Sequence, residues 1–533
     1  MTADAVTDPA VETAAYQEVA LDVEGVAGTP VAPSGAEAAL VNPAAQQVEP
    51  LPPVAVPTDA EQGEPISTPP AAVQLDDIVA AIYANYPGLE AATRERQIAA
   101  GDALAAIGAF DTQLVGETLT KPLGYYENYR YGLGAKQYTW GGGQVFSGYR
   151  LGRGTFEPWY LERETNKGGE FKAGFTLPFL RDRDIDKRRA AVYKARIQQS
   201  AAEPIIQLEI INAVQAGSAA YWDWVASGRQ LEIAREQLEI AATRQEKIAR
   251  AVELGSMKGI ELVDNERLIV SRRGKLVAAE RKLQQSALKL SIYLRSFDGT
   301  PLLPTPEQLP ADFPPIVEPA VDLLPQQIAQ ALAMRPEPRL LSLAAEQARV
   351  DIQQANNQLL PAIDGAMVAS QDVGAPTSSK RDKSQLELEA GLMLDVPLQR
   401  REARGKLQAT QGKLAQIAAK RRLTEQKIAI EVRHAVTAIA ADFLQFQQAR
   451  RTAELAKRME DAERTKFEQG NSNILVINLR EQATAEAQLL VVAAEADYFR
   501  SLAELHAAVA GELVRDGASQ PIDMQTTDEG GPP

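Results

Sequence analysis

Few side chains in this sequence can do chemistry. Its 533 residues include no cysteine and two histidines, His434 and His506, so thiolate nucleophiles, disulfides, iron–sulfur ligation and cysteine lipidation have no residue to act through. The histidines stand 72 positions apart without ligand spacing and read as surface or packing residues. Gly141-Gly142-Gly143 is followed by no lysine–serine pair, so it reads as an extracellular turn between strands rather than a phosphate cradle. The run Arg181 to Arg189 is interleaved with Asp182, Asp184 and Asp186, and reads as a junction near lipid headgroups, not a nucleic-acid contact. What remains is charge beside turns. Glu261 and Asp264 follow a turn at Gly255 and Gly259, and Glu468 precedes one at Gly470, Asn471 and Asn473. No catalytic, cofactor-binding or metal-ligating set emerges, so no enzyme activity and no cofactor are expected.

The elements that carry these turns are long helices. The formal charge of -15 misleads, because residues 1–70 hold eleven acidic and no basic residues, and 514–533 add a net of -3. The intervening body is nearly neutral. Eleven of 32 prolines lie in residues 1–70, which together with the charge reads as a disordered tail. Eight more lie between Pro301 and Pro325 and separate two segments almost free of proline. Those segments place apolar residues three or four apart, as in Ile233, Leu238, Ile240, Ile248 and Val252, and predict amphipathic helices over 181–254 and 398–469, Pro204 marking a kink or break. Trp222 and Trp224 are expected to pack between helices. Shorter helices are expected over 75–108, 260–296, 326–358 and 474–511. No stretch reaches the roughly 18 to 20 apolar residues of a spanning helix.

The two halves repeat. Residues 171–177 match 388–394, Asn212-Ala213-Val214 matches His434-Ala435-Val436, and Gly255 with Glu266 matches Gly470 with Glu481, in the same order. In each half a period-two strand stands out: Phe171, Phe175 and Phe179 in one, Leu388, Leu392 and Leu394 in the other, on an apolar face opposite polar or small residues. Weaker partners near 111–120 and 361–371 bring the expected strands to four. Two short helices end to end match one long helix in each half, which predicts a rod about 100 Å long with strands at one end and turns at the other. Four strands are too few to close a barrel, so several protomers must pool them. An apolar outward face, strands of about ten residues and seven of 14 tyrosines within 111–180 point to a transmembrane barrel with an interfacial aromatic belt.

This order, with Gly255 and Gly470 followed by Ile260-Glu261-Leu262-Val263-Asp264 and Ile474-Leu475-Val476-Ile477-Asn478, resembles the TolC family of outer-membrane export channels over residues 72–513. The resemblance implies a mostly α fold with a small β part: duplicated long-helix hairpins forming an α-barrel, plus four strands per protomer in a trimeric transmembrane β-barrel of twelve strands. It implies a homotrimer in the outer membrane of a Gram-negative bacterium, with a long periplasmic extension, contacting outer-membrane lipid, a periplasmic adaptor (membrane fusion protein) and an inner-membrane pump, but no nucleic acid. Cargo of a tripartite efflux pump or type I secretion system then passes passively through the tunnel. The family's two entrance aspartates fall here on Val476 and Leu479, leaving Glu261, Asp264 and Glu468 as candidate entrance carboxylates. An outer-membrane protein also needs a secretion signal, expected upstream of Met1 or already removed. The domains follow as a disordered tail (1–71), a first repeat (72–300), a proline-rich equatorial linker (301–325), a second repeat (326–513) and a disordered acidic tail (514–533). A periplasmic adaptor or a soluble coiled-coil scaffold are the alternatives; the first has one helical hairpin rather than two, and the second leaves the strands unexplained.

Overall fold

The computed structural model describes residues 71–157, 163–377 and 383–510. The two acidic tails therefore lie outside the described residues except at Ala71, as do Trp159 and Tyr160. The described chain separates into two compact units, one of strands (110–179 and 363–394) and one of helices (71–109, 180–362 and 395–510).

In the helical unit, α4 (Lys187–Glu253) and α8 (Arg401–Glu468) have 67 and 68 residues, each about 100 Å long. Helix α4 starts later than the periodicity predicts because Asp186 caps it, accepting from the Arg189 backbone N–H at 2.8 Å. The buried Arg189 guanidinium then holds the preceding turn by donating to the Asp182 and Arg183 carbonyls. No break occurs at Pro204, which sits buried inside the continuous helix. The shorter helices depart from expectation in the opposite way. The segment 75–108 divides into α1 (Leu75–Asn85), α2 (Pro87–Thr93) and α3 (Glu95–Ile107), and 326–358 into α6 (Leu324–Met334) and α7 (Pro336–Asn357). Pro87 and Pro336 cause the breaks before α2 and α7: each lacks an N–H and forces an extended residue before it, Tyr86 at ψ 118° and Arg335 at ψ 139°. Helices α5 (Gly259–Leu290) and α9 (Ile474–Ala508) return from the turns. Helix α4 packs against α1–α3, α5, α7 and α9, while α8 packs against α6, α7 and α9.

The core of this unit is aromatic. Trp222 stacks on Phe499 at 4.4 Å, and Phe313 of the proline-rich linker stacks on both rings at 5.8 Å. Trp224 and Tyr221 are enclosed beside them. The Tyr221 hydroxyl donates to the Val73 carbonyl at 3.1 Å, and burial pushes its pKa up to about 12. The linker reaches this core because Gly228 leaves room: a Cβ there would lie 2.4 Å from Leu309. Replacing Gly228 with Val is expected to lift the linker off α4 and cost about 1–3 kcal/mol, read as a lower unfolding midpoint in detergent; an unchanged midpoint would show that the linker is not anchored there.

The other unit is an antiparallel sheet in simple meander order: β1 (Gln113–Lys121), β2 (Asn128–Tyr138), β3 (Gln144–Gly154), β4 (Glu170–Pro178), β5 (Ala362–Asp372) and β6 (Glu387–Asp395). It has six strands, not the four expected. The expected strands are β1, β4, β5 and β6; the hairpin β2–β3 is additional, and its tight turn is the glycine run, with Gly142 at φ 88° and Thr139 N–H donating to Gly143 O at 2.8 Å. The turn lies at the end of the sheet where β1 begins, Trp140 against Phe110 at 4.9 Å, not at the far end as an extracellular turn would. Among the described residues no helix is long and apolar enough to cross a membrane.

Candidate functional site: helical turns, a buried ionic cluster and a two-faced sheet

The two helical turns are built alike. Gly255 and Gly470 take left-handed φ values of 72° and 78°, and the next residue closes each turn: Ser256 N–H donates to Ala251 O at 2.9 Å and Asn471 N–H to Lys466 O at 2.8 Å. These are helix-ending glycines with open space where a Cβ would stand. Gly259 and Asn473 have other roles. Gly259 is the first residue of α5 with no positive φ, and Asn473 is the N-cap of α9, its side chain accepting from Val476 N–H at 3.0 Å. Glu463 near the end of α8 accepts from the Ser472 hydroxyl, which holds its carboxyl below the usual range.

The candidate entrance carboxylates are not brought together. Asp264 is paired with Arg267 one turn along its own helix at 3.1 Å, Glu261 is a half-buried first-turn residue of α5, and Glu468 is exposed at the end of α8. The structure gathers charge instead two turns into α9, at Glu481, which is 0 % exposed. Its carboxylate pairs with Arg244 of α4, with Arg272 of α5 at 3.0 Å and, more distantly, with Arg464 of α8 at 3.9 Å. Arg244 also donates to Asn478, Arg272 to the Gln237 carbonyl, and Arg464 to the buried Glu460 at 2.8 Å. One acid thus ties four helices. Burial pushes the Arg244 guanidinium below its ordinary value while Glu481 pulls the other way. The repeat match had paired Glu481 with Glu266, which is exposed; only the conjunction of Arg244, Arg272 and Arg464 at matching heights distinguishes it.

Strand register sorts the sheet into two faces. Leu133 of β2 stands opposite Tyr149 of β3, Tyr149 opposite Phe171 of β4, and Phe175 opposite Met367 of β5, all on one face. That face is apolar and open: Leu133 is 56 %, Phe171 56 % and Phe175 43 % exposed, and Phe179 lies beyond them over Gly365. On β6, Leu388, Leu392 and Leu394 share one parity and are all exposed. The opposite face is charged, with Arg130, Lys136, Arg150 and Lys172 on successive strands. A strap, residues 163–169, runs along the end of the sheet where β3 stops and β4 starts. Tyr149 and Arg153, which have the parity of the apolar face, donate respectively to its Gly168 carbonyl and to its Thr165, Asn166 and Lys167 carbonyls. Arg150 bonds the buried Glu170 at 2.6 Å, Arg163 bonds Glu387 at 2.8 Å, and the Asn166 N–H donates to Asp372 at 2.6 Å.

Among the described residues no group of three or more His, Asp or Glu side chains could hold a metal ion. His434 is exposed and faces Glu504 at 3.4 Å.

The family model for outer membrane efflux proteins matches residues 161–294. Among curated proteins none matches in sequence. Solved structures match throughout the fold. A membrane protein from Pseudomonas aeruginosa is 15 % identical with a TM-score of 0.61, covering 83 % of this chain and 91 % of that one. The outer membrane protein VceC of Vibrio cholerae is 16 % identical, TM-score 0.60, covering 82 % and 96 %. The open-state MtrE outer membrane channel of Neisseria gonorrhoeae is 15 % identical, TM-score 0.58, covering 82 % and 89 %.

Two measurements check the helical site. Glu481→Ala leaves buried guanidiniums without their acid and is expected to cost about 3–5 kcal/mol, seen in denaturant unfolding followed by helical circular dichroism; a cost under about 1 kcal/mol would remove the cluster's structural role. The Glu463–Ser472 tie has the sign of a depressed carboxyl: it is fully present above the unfolded value near 4.5 and is lost as pH falls through the lower folded one. Hydrogen-exchange protection of residues 470–473 should therefore fall in Ser472→Ala at pH 7, and the difference from wild type should shrink below about pH 4. Equal protection at pH 7 contradicts the tie.

Proposed function

From an outer membrane efflux protein domain set in a TolC-family fold, we propose that this chain is the exit duct of a tripartite efflux pump or type I secretion system. It works as a homotrimer in the outer membrane of a Gram-negative bacterium, with its paired long helices as a periplasmic tunnel. The observation that carries the reading is the two-faced sheet: strands of nine to eleven residues with an open apolar face and a charged one. Apolar side chains on that scale are stable in lipid and costly in water, while the charged face suits a water-filled lumen. A coiled-coil scaffold or a periplasmic adaptor has no use for such a sheet.

Conduction is passive and no bond is made or broken. The helical turns at Gly255 and Gly470 form the end that meets the periplasmic adaptor, inter-helix contacts hold it closed, and adaptor binding opens it; an inner-membrane pump supplies the energy. Glu261, Asp264 and Glu468, a few residues from those turns, are the proposed entrance carboxylates, and the apolar face meets outer-membrane lipid.

The test is to express the chain with a secretion signal, fractionate the membranes and record planar-bilayer conductance. An outer-membrane trimer with discrete channels is expected, and a soluble monomer without pores rejects the proposal. Gly470→Val, which places a β-branched residue at a left-handed position, should lower export while leaving the trimer assembled. Loss of the trimer with unchanged export per folded channel would contradict the turn's role.

A further inference from the structure

The hairpin β2–β3 separates β1 from β4 in the sheet. We infer that all six strands are wall strands and that three copies close a barrel of eighteen, an inference that rests on the channel reading above.

Four observations meet here. The added strands are 11 residues each, long enough to cross the apolar layer when tilted. They continue the two faces over most of their length, with Leu133 and Tyr149 in line with Phe171 on the apolar side and Arg130, Lys136 and Arg150 on the charged side, Arg153 at the end of β3 and the buried Phe146 being the exceptions. A hairpin standing in water above the membrane has no reason to keep that alternation. Next, β1 pairs with β2 along its whole length and β4 pairs with β3, so a wall of four strands per copy would have to break both ladders and join β1 to β4.

The edges supply the third point. An antiparallel meander of six strands leaves β1 and β6 running in opposite directions, both nine residues long. The β6 edge of one copy therefore meets the β1 edge of a second copy antiparallel, and a cyclic trimer leaves no edge unpaired. The fourth is room. The strap 163–169 at the rim is tied through Asn166 to Asp372 of the charged face, which becomes the lumen. Eighteen tilted strands enclose a backbone diameter of about 36 Å against about 24 Å for twelve. The wider ring leaves more room for three straps.

The native chain has no cysteine, so single-cysteine variants of the full-length protein report cleanly. Leu133→Cys, carrying an environment-sensitive fluorophore, is expected to be quenched by brominated lipid as strongly as the control Phe171→Cys. Lys136→Cys is expected to react with a membrane-impermeant thiol reagent and to escape the lipid quencher. End-on averages from electron microscopy should show a barrel ring near 36 Å. A conducting trimer with a ring near 24 Å and Leu133→Cys shielded from lipid overturns the inference and leaves the channel reading standing. Absence of any trimeric pore overturns both.

Discussion

A β-strand in lipid has no water to satisfy its backbone, so every N–H and C=O at that depth must find a partner within the protein. In the proposed channel that constraint governs the sheet of this chain. Its apolar face is open and its two outer strands each have one unpaired side. Neither requirement can be met by one copy. As a wall segment the sheet is an arc: alternate residues commit it to one apolar and one charged side, the even strand number makes its edges complementary, and the proposed cyclic assembly satisfies the backbone all round. In that assembly the charged side becomes an aqueous interior, with the strap held at its rim through Arg163 and Asn166.

The helices face a different problem. A helix of 67 residues holds its own backbone hydrogen bonds, but its stability in water comes from burying one stripe. Here the stripe is filled by several shorter partners, and the proline-rich linker closes over the aromatic core through Phe313 and Leu309. Gly217 and Gly228 on α4 are places where other segments approach too closely for a Cβ. Small residues in so long a helix therefore mark docking points, not weak propensity.

Much of this was legible in the residues. Long amphipathic segments almost free of proline gave both long helices to within a few residues, and Phe171, Phe175, Leu388 and Leu392 gave two strands through strict alternation. The hairpin β2–β3 escaped because Gly132, Gly134, Gly148 and Gly152 dilute its apolar side-chain pattern on the charged face, and because arginines break any window average. Its signal was present in Tyr129, Tyr131 and Leu133. Helix breaks at Pro87 and Pro336 follow from local chemistry and were readable in principle. Glu481 was not, since a buried ion cluster depends on residues 209 and 237 positions away arriving at the same height.

The choice of charge at that height has a physical logic of its own. Leucines at Arg244, Arg272 and Glu481 would hold the four helices at least as firmly, because a buried ion pair repays its desolvation only with good geometry. An apolar contact once parted exposes surface to water at about 25 cal/mol per Å². Parted ions recover their hydration instead, so the state in which these helices separate is penalised less. The cluster is also directional: Arg272 reaches both Glu481 and the Gln237 carbonyl, which fixes the height of α5 against α4 and α9 in a way sliding leucines do not. In the proposed gate, helices that close in one register and open again are better joined by a few satisfied charges than by a continuous apolar seam.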